Sequence, residues 1–233
     1  MRKLGAYVSL TKPEEALLLA LPVDVQTFGP RLDIVRDAEP PRGTNLVLSG
    51  VACRTKTLPD GRRQILGLLV AGDFCDLHVV LLARLDHAIS TLTPTVVARL
   101  PEAELQIVMG ENPTIARGFW LAALVQEAIA REWIVSLGRR SAYERMAHLL
   151  CEFYERLAGI GLASDGVCDM PLTQADLADA LGLSQVHVNR TLQDMRQAGL
   201  IEFRGRRLRV VHLQNLRDVG MFDPSYLHLQ RLI

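Results

Sequence analysis

The sequence predicts an α+β chain in three parts: an N-terminal β-barrel or jelly roll, one long helix, and a C-terminal winged helix-turn-helix. Three observations predict it. Short segments of mixed apolar and polar residues between 33 and 99 are parted by turn signals at the intervals of a small barrel. A helical pattern carrying two apolar stripes begins at Pro113. Near the C-terminus two capped helices are separated by a very tight turn, and a hairpin with arginines at its tip follows them.

Composition bounds the classes open to the chain. At 233 residues and 49% hydrophobic, it is long enough for two domains, each with its own core. Lys+Arg and Asp+Glu balance at 26 each, and only a slight basic excess falls beyond Pro171. No apolar run reaches the roughly 18 residues of a membrane helix, and the N-terminal apolar run is too short, and preceded by acids, for a secretory signal. A cytoplasmic protein without a membrane partner is expected. Cys53, Cys75, Cys151 and Cys168 lie far apart with no paired spacing, so free thiols are expected rather than a disulfide framework or a metal site.

In chain order, a modest helix is expected from Pro13 to Leu21, ended by Pro22. Strands are expected at Asp33–Arg36, Thr44–Leu48, Val51–Lys56, Arg63–Leu69, Ala88–Leu92 and Thr95–Arg99, making one barrel from about 25 to 105 within a first domain of residues 1–112. The helix that follows, expected at 113–138, has two surfaces to bury. Ile115, Phe119, Ala122, Ile129 and Trp133 form one stripe, and Leu121, Leu124, Ala128 and Val135 another. One stripe packs on the barrel while the other meets a second subunit, with Phe119, Ala122, Ile129 and Trp133 as the candidate dimer interface; a helix buried centrally in a monomer is the alternative. A helix from Ser141 to Leu157 and a hinge from Gly159 to Gly166 lead into a last domain, 139–233.

There, Thr173 is placed as an N-cap with Asp176 three residues on, and the helix it opens runs to Leu181. Gly182 suits the left-handed residue that ends a helix, and Ser184 caps the next one. Val188, Leu192 and Met195 form its buried stripe, facing Leu177, Ala178 and Leu181. Gln185, Val186, Asn189, Arg190, Gln193 and Arg196 face outward. Arginine can bond guanine, glutamine and asparagine adenine, and valine can cover a thymine methyl. After Gly199, two short strands around Gly205-Arg206 make a wing. Thr173, Ser184, His187, Arg204, Arg206 and Arg207 complete the DNA-binding candidates. A helical hairpin with glycine in its turn gives a similar pattern without DNA, so a ligand-gated dimer that binds protein is the competing reading.

The arrangement resembles the cyclic-AMP receptor protein and fumarate-nitrate reduction regulator (Crp/Fnr) family over nearly the whole chain. Leu48-Ser49-Gly50-Val51, Asp60-Gly61-Arg62-Arg63 and Gly72-Asp73-Phe74 carry the resemblance in the barrel. Leu172-Thr173-Gln174, Asp176-Leu177-Ala178, Leu181-Gly182-Leu183-Ser184, Val188, Arg190-Thr191-Leu192 and Gly199-Leu200-Ile201 carry it behind. The resemblance implies a barrel of cyclic-nucleotide-binding type, a homodimer on a palindromic duplex, and RNA polymerase as a further partner. Arg190 falls on the family's guanine-reading arginine, with Gln185 and Asn189 on other contact positions. Val186 departs, because a glutamate accepting from cytosine is common there. Gly72, Asp73, Phe74, Cys75, Asp76, Arg84 and His87 fall in the effector region, but the Arg-Ser or Arg-Thr phosphate clamp is absent, and no cysteine precedes Cys53 to hold an iron-sulfur centre. No cofactor is therefore expected. Cys75 and His78 lie near the haem ligands of carbon-monoxide-sensing relatives, with spacing one residue too long, so a haem- or redox-sensing regulator stays open beside a small buried cysteine. An enzyme using Cys75 or Cys151 with His78 or His148 is set aside, since no glycine-rich oxyanion turn lies beside either pair.

Overall fold

A computed structural model describes residues 3–40, 42–77 and 84–229. The chain divides into two compact units. One comprises residues up to Lys56 and Gly67–Glu127 together with the last residues from His228, and the other Thr57–Leu66 with Ala128–Leu227.

The first unit opens with α1 (Leu4–Tyr7) and α2 (Lys12–Leu19), the latter started by a Thr11/Glu14 capping box. Strands β1 (Asp24–Phe28), β2 (Asp33–Val35), β3 (Thr44–Ser49), β4 (Ala52–Thr57), β5 (Arg63–Leu69), β6 (Ala88–Thr91) and β7 (Thr95–Leu100) form two antiparallel sheets, ordered β1-β7-β3 and β2-β6-β4-β5. Both sheets feed one core, in which Ile34, Val35, Val47, Ala52, Leu69, Cys75, Leu85, Ile89 and Val97 are buried. The six expected strands are present within a residue or two, and β1 joins them at an edge.

Helix α3 (Glu102–Glu111) follows Pro101, and α4 runs Pro113–Arg139. Ile115 and Phe119 pack with Leu4, Val8, Leu100, Leu105 and Val108. Gly118 makes this approach possible, because a Cβ there would meet Leu4 Cδ1 at 2.8 Å and Val8 Cγ2 at 2.9 Å. Phe119, Ile129 and Trp133 are thus buried within their own chain, which corrects their assignment to a dimer interface; Ala122 beside them is half-buried. The exposed large apolar residues of α4 are instead Trp120, Leu124, Ile134, Val135 and Leu137, the first four on the opposite side of the helix.

In the second unit, α5 (Ala142–Ala158) is opened by a Ser141/Glu144 capping box. The 159–166 stretch, expected as a hinge, is tied down in β8 (Ala163–Ser164), whose hairpin partner β9 (Val167–Asp169) joins the wing. Gly166 donates to Tyr154 Oη at 3.0 Å and accepts from the Val210 amide at 2.7 Å. Then come α6 (Gln174–Leu181), α7 (Gln185–Gln197), β10 (Ile201–Arg204), β11 (Arg207–Val210) and α8 (Leu213–Gly220). A short 3-10 turn, Pro224–Leu227, closes the unit. Among the described residues no helix is long and apolar enough to cross a membrane.

Candidate nucleic-acid interface

The local chemistry that starts and stops α6 and α7 also presents their outer face. Thr173 Oγ1 accepts from the Asp176 amide at 3.2 Å, and Asp176 Oδ2 accepts from Thr173 N and Oγ1 at 2.9 and 2.7 Å. Two orphan amides of the first turn are satisfied by this exchange. It also commits the Thr173 hydroxyl proton to Asp176, so that hydroxyl is not presented to a phosphate. Gly182 takes φ +62°, where any other residue but asparagine is strained, and Ser184 Oγ then accepts from the His187 amide at 3.2 Å. Arg145 of α5 holds the end of α6 by donating to the Leu181 carbonyl at 2.8 Å.

Val188, Leu192 and Met195 are buried at 0%, 1% and 0% exposure beside Leu177, Ala178 and Leu181. The helix pair is thereby locked at its apolar seam, with Thr191 buried beside it, and the outer face of α7 is left to solvent. Gln185, Val186, His187, Arg190, Gln193 and Arg196 are exposed. Asn189 is half-buried, and its Nδ2 donates to Gln174 Oε1 at 3.3 Å. On the wing, Arg204, Arg206 and Arg207 are exposed around the β10/β11 turn. The helix end, with its unpaired amides and positive dipole, and the arginine tip both suit a polyanion.

The contacts of three side chains escaped the sequence reading. Gln174 orients Asn189 from fifteen residues away, and Arg145 clamps α6. Arg63, in the segment that clusters with this unit, has Nε 2.9 Å from Asp179 Oδ2 and Nη2 3.4 Å from the fully buried Asp176. None of the three has a local signal, because each acts on a residue distant in sequence.

The barrel's effector candidates fall into two clefts rather than one. Gly72, Asp73 and Phe74 line a cleft with Lys3, Tyr7, Ala122 and Gln126. Asp73 there accepts from Val70 N at 2.8 Å, from Gln126 Nε2 at 3.0 Å and from Lys3. Asp76 lines the other with Asn45, Leu85 and Arg99. Its carboxylate accepts from Thr44 Oγ1 and Asn45 N at 2.9 Å and from Asn45 Nδ2 at 3.2 Å, while burial pushes its pKa up against those bonds. Cys75 sits in the core, and burial raises its thiol well above the ordinary range. His87 is buried with Nδ1 2.7 Å from Asp86, whereas Arg84 is exposed. His78 lies outside the described residues. Arg54 directs its guanidinium to the Cys75 and Phe74 carbonyls and to Gln126. Among the described residues each cleft carries a buried carboxylate that an anion would meet, and the Asp76 cleft is also lined by Arg42 and Arg99.

The other cysteine-histidine pair is inert. Burial pushes the Cys151 thiol up to about 12 and, with the Arg140 guanidinium, His148 down to about 3. A thiol held protonated in the core is no nucleophile.

A Cyclic nucleotide-binding domain matches residues 25–112, and a Crp-like helix-turn-helix domain matches residues 144–219. The chain is 36% identical over 179 residues to the nitrogen fixation regulation protein FixK of Bradyrhizobium diazoefficiens, covering 77% of this chain and 70% of that one. It is 32% identical over 164 residues to the transcriptional activator protein FnrL of Cereibacter sphaeroides, covering 69% and 65%. In structure it is similar to FixK2 from Bradyrhizobium japonicum, with a TM-score of 0.78, 27% identity, and coverage of 85% of this chain and 98% of the other.

Proposed function

The chain belongs to the Crp/Fnr family of DNA-binding transcriptional regulators, and from that premise we propose that it works as a homodimer on a two-part palindromic duplex. It is a regulator and not an enzyme. The observation that carries the reading is the outer face of α7, where Gln185, Asn189 and Arg190 stand clear of the buried seam at the helix end that enters a major groove. Arg190 reads guanine, and Arg204, Arg206 and Arg207 of the wing, with His187 and Arg196, meet phosphates. Each protomer supplies one α7, so the two half-sites lie about one helical turn apart, roughly 10 base pairs.

The twofold contact runs along the exposed side of α4, where Trp120, Leu124, Ile134 and Val135 are between 46% and 69% exposed. Such a large apolar stripe on a long helix is what a partner helix buries. The work is done in the cytoplasm, on chromosomal DNA, with RNA polymerase as the downstream partner.

The barrel does not hold cyclic AMP tightly. A phosphate lacking its bidentate arginine clamp loses a charge-assisted interaction of about 1.5–3 kcal/mol, and Asp73 and Asp76 repel it. Calorimetry with cyclic AMP is expected to give no binding at micromolar concentrations; a micromolar Kd would overturn this part. For the DNA reading, fluorescence anisotropy with the protein's selected duplex is the test. Arg190→Ala is expected to bind that duplex no better than a scrambled one, and unchanged affinity and base preference would remove Arg190 from the site.

A further inference from the structure

We propose that Val186 is a methyl-reading residue: at one base pair of each half-site it selects thymine by its C5-methyl group, and there it accepts 5-methylcytosine in preference to cytosine. The inference rests on the DNA reading given above. Val186 is 81% exposed, the highest value of any large apolar side chain among the described residues. Nothing in the fold explains it. It is the second residue of α7, beyond the buried seam, and β-branching makes valine a poorer helix former than alanine or glutamate.

Its place on the helix supplies the explanation. Three and four residues on, Asn189 and Arg190 share its face, and Asn189 is already oriented by Gln174. Those two side chains make directional hydrogen bonds that fix the register of α7 against the base edges. Val186 has no donor or acceptor and a single stiff rotamer. Of the features a major groove displays, it complements only the methyl group on C5 of a pyrimidine. A carboxylate at that position would accept from the cytosine amino group, so valine removes a preference for cytosine and substitutes one for a methyl. Because it contacts the methyl and not the exocyclic group beside it, a methylated cytosine satisfies it as well.

The experiment uses the full-length protein and its selected duplex, with thymines replaced one symmetric pair at a time by deoxyuridine, which lacks only the methyl. One pair is expected to matter: affinity falls about fourfold per half-site and about fifteenfold for both, the effect of withdrawing one buried methyl from each. Val186→Ala is expected to be indifferent to that replacement while still requiring the guanine. With cytosine at the same pair, methylation at C5 is expected to restore binding to the wild type alone. The inference is overturned if no thymine methyl matters or if Val186→Ala keeps the same sensitivity. Should the protein bind a guanine-dependent site through Arg190 with no methyl dependence, only this inference fails; should it bind no duplex at all, the DNA reading fails with it.

Discussion

His148 stacks on Tyr226 with ring centroids 6.0 Å apart, meets Phe222 edge-on, and lies with Nε2 3.4 Å from Glu132. Beside it the buried Glu152 accepts from Trp133 Nε1 and Tyr226 Oη, each at 3.0 Å, and from Arg156 at 3.2 Å. These residues hold α5 to the segment bearing Phe222 and Tyr226 and to the last turns of α4. They also impose a pH dependence. Folded His148 takes a proton only near pH 3, whereas the unfolded chain takes it near 6.5, so between those values the unfolded state binds more protons. The stability contributed by neutral His148 is complete above about 6.5 and is lost progressively as pH falls toward about 3. Urea denaturation is expected to show His148 accounting for about 2 kcal/mol of the loss between pH 7 and 5, and His148→Gln to lack that part. Equal slopes for variant and wild type would exclude it.

At the scale of elements, α4 is the piece on which the proposed twofold pairing rests. Its buried side is filled by Ile115, Phe119, Ile129 and Trp133, and its open side carries Trp120, Leu124, Ile134 and Val135. Leu124→Glu with Ile134→Glu alters only exposed positions, so the fold should survive. Sedimentation is expected to show a monomer, with DNA affinity falling at least a hundredfold as two linked α7 contacts become one. A dimer that binds DNA normally would refute the α4 pairing.

The two stripes of α4 were legible in its periodicity, but not which one faces inward. Ile115 and Phe119 pack against Leu4, Val8 and Leu105, partners that spacing along one helix does not reveal. Helices α6 and α7 were legible to the residue, because Thr173, Gly182 and Ser184 each do a job only a few residue types can do. Helix α8 was not: no side chain caps it at His212, and it ends on Met221 in a left-handed turn where glycine is usual. The two missed pieces near the barrel differ. Pro101 with Glu102 and Glu104 is an ordinary helix start for α3, whereas β1 is an edge strand with little alternation to betray it. The contacts of Gln174 and Arg63 were invisible for a third reason, since their partners come from distant parts of the chain.

For the whole molecule, zero formal net charge means that attraction to DNA comes from placement rather than bulk charge. In the proposed interface the arginines of the wing and the amino end of α7 supply it locally, so affinity is expected to fall steeply with salt as condensed counterions are released. The barrel contributes a different property: the Asp73 and Asp76 carboxylates are held by Lys3, Thr44, Asn45 and Gln126 of the same chain. Enrichment of bound duplexes from a randomised pool by the full-length protein tests the central claim most directly. The account predicts a twofold-symmetric site whose half-sites, about 10 base pairs apart, share a guanine that Arg190→Ala no longer selects. A pool that stays random, or an enriched site without symmetry, would contradict it.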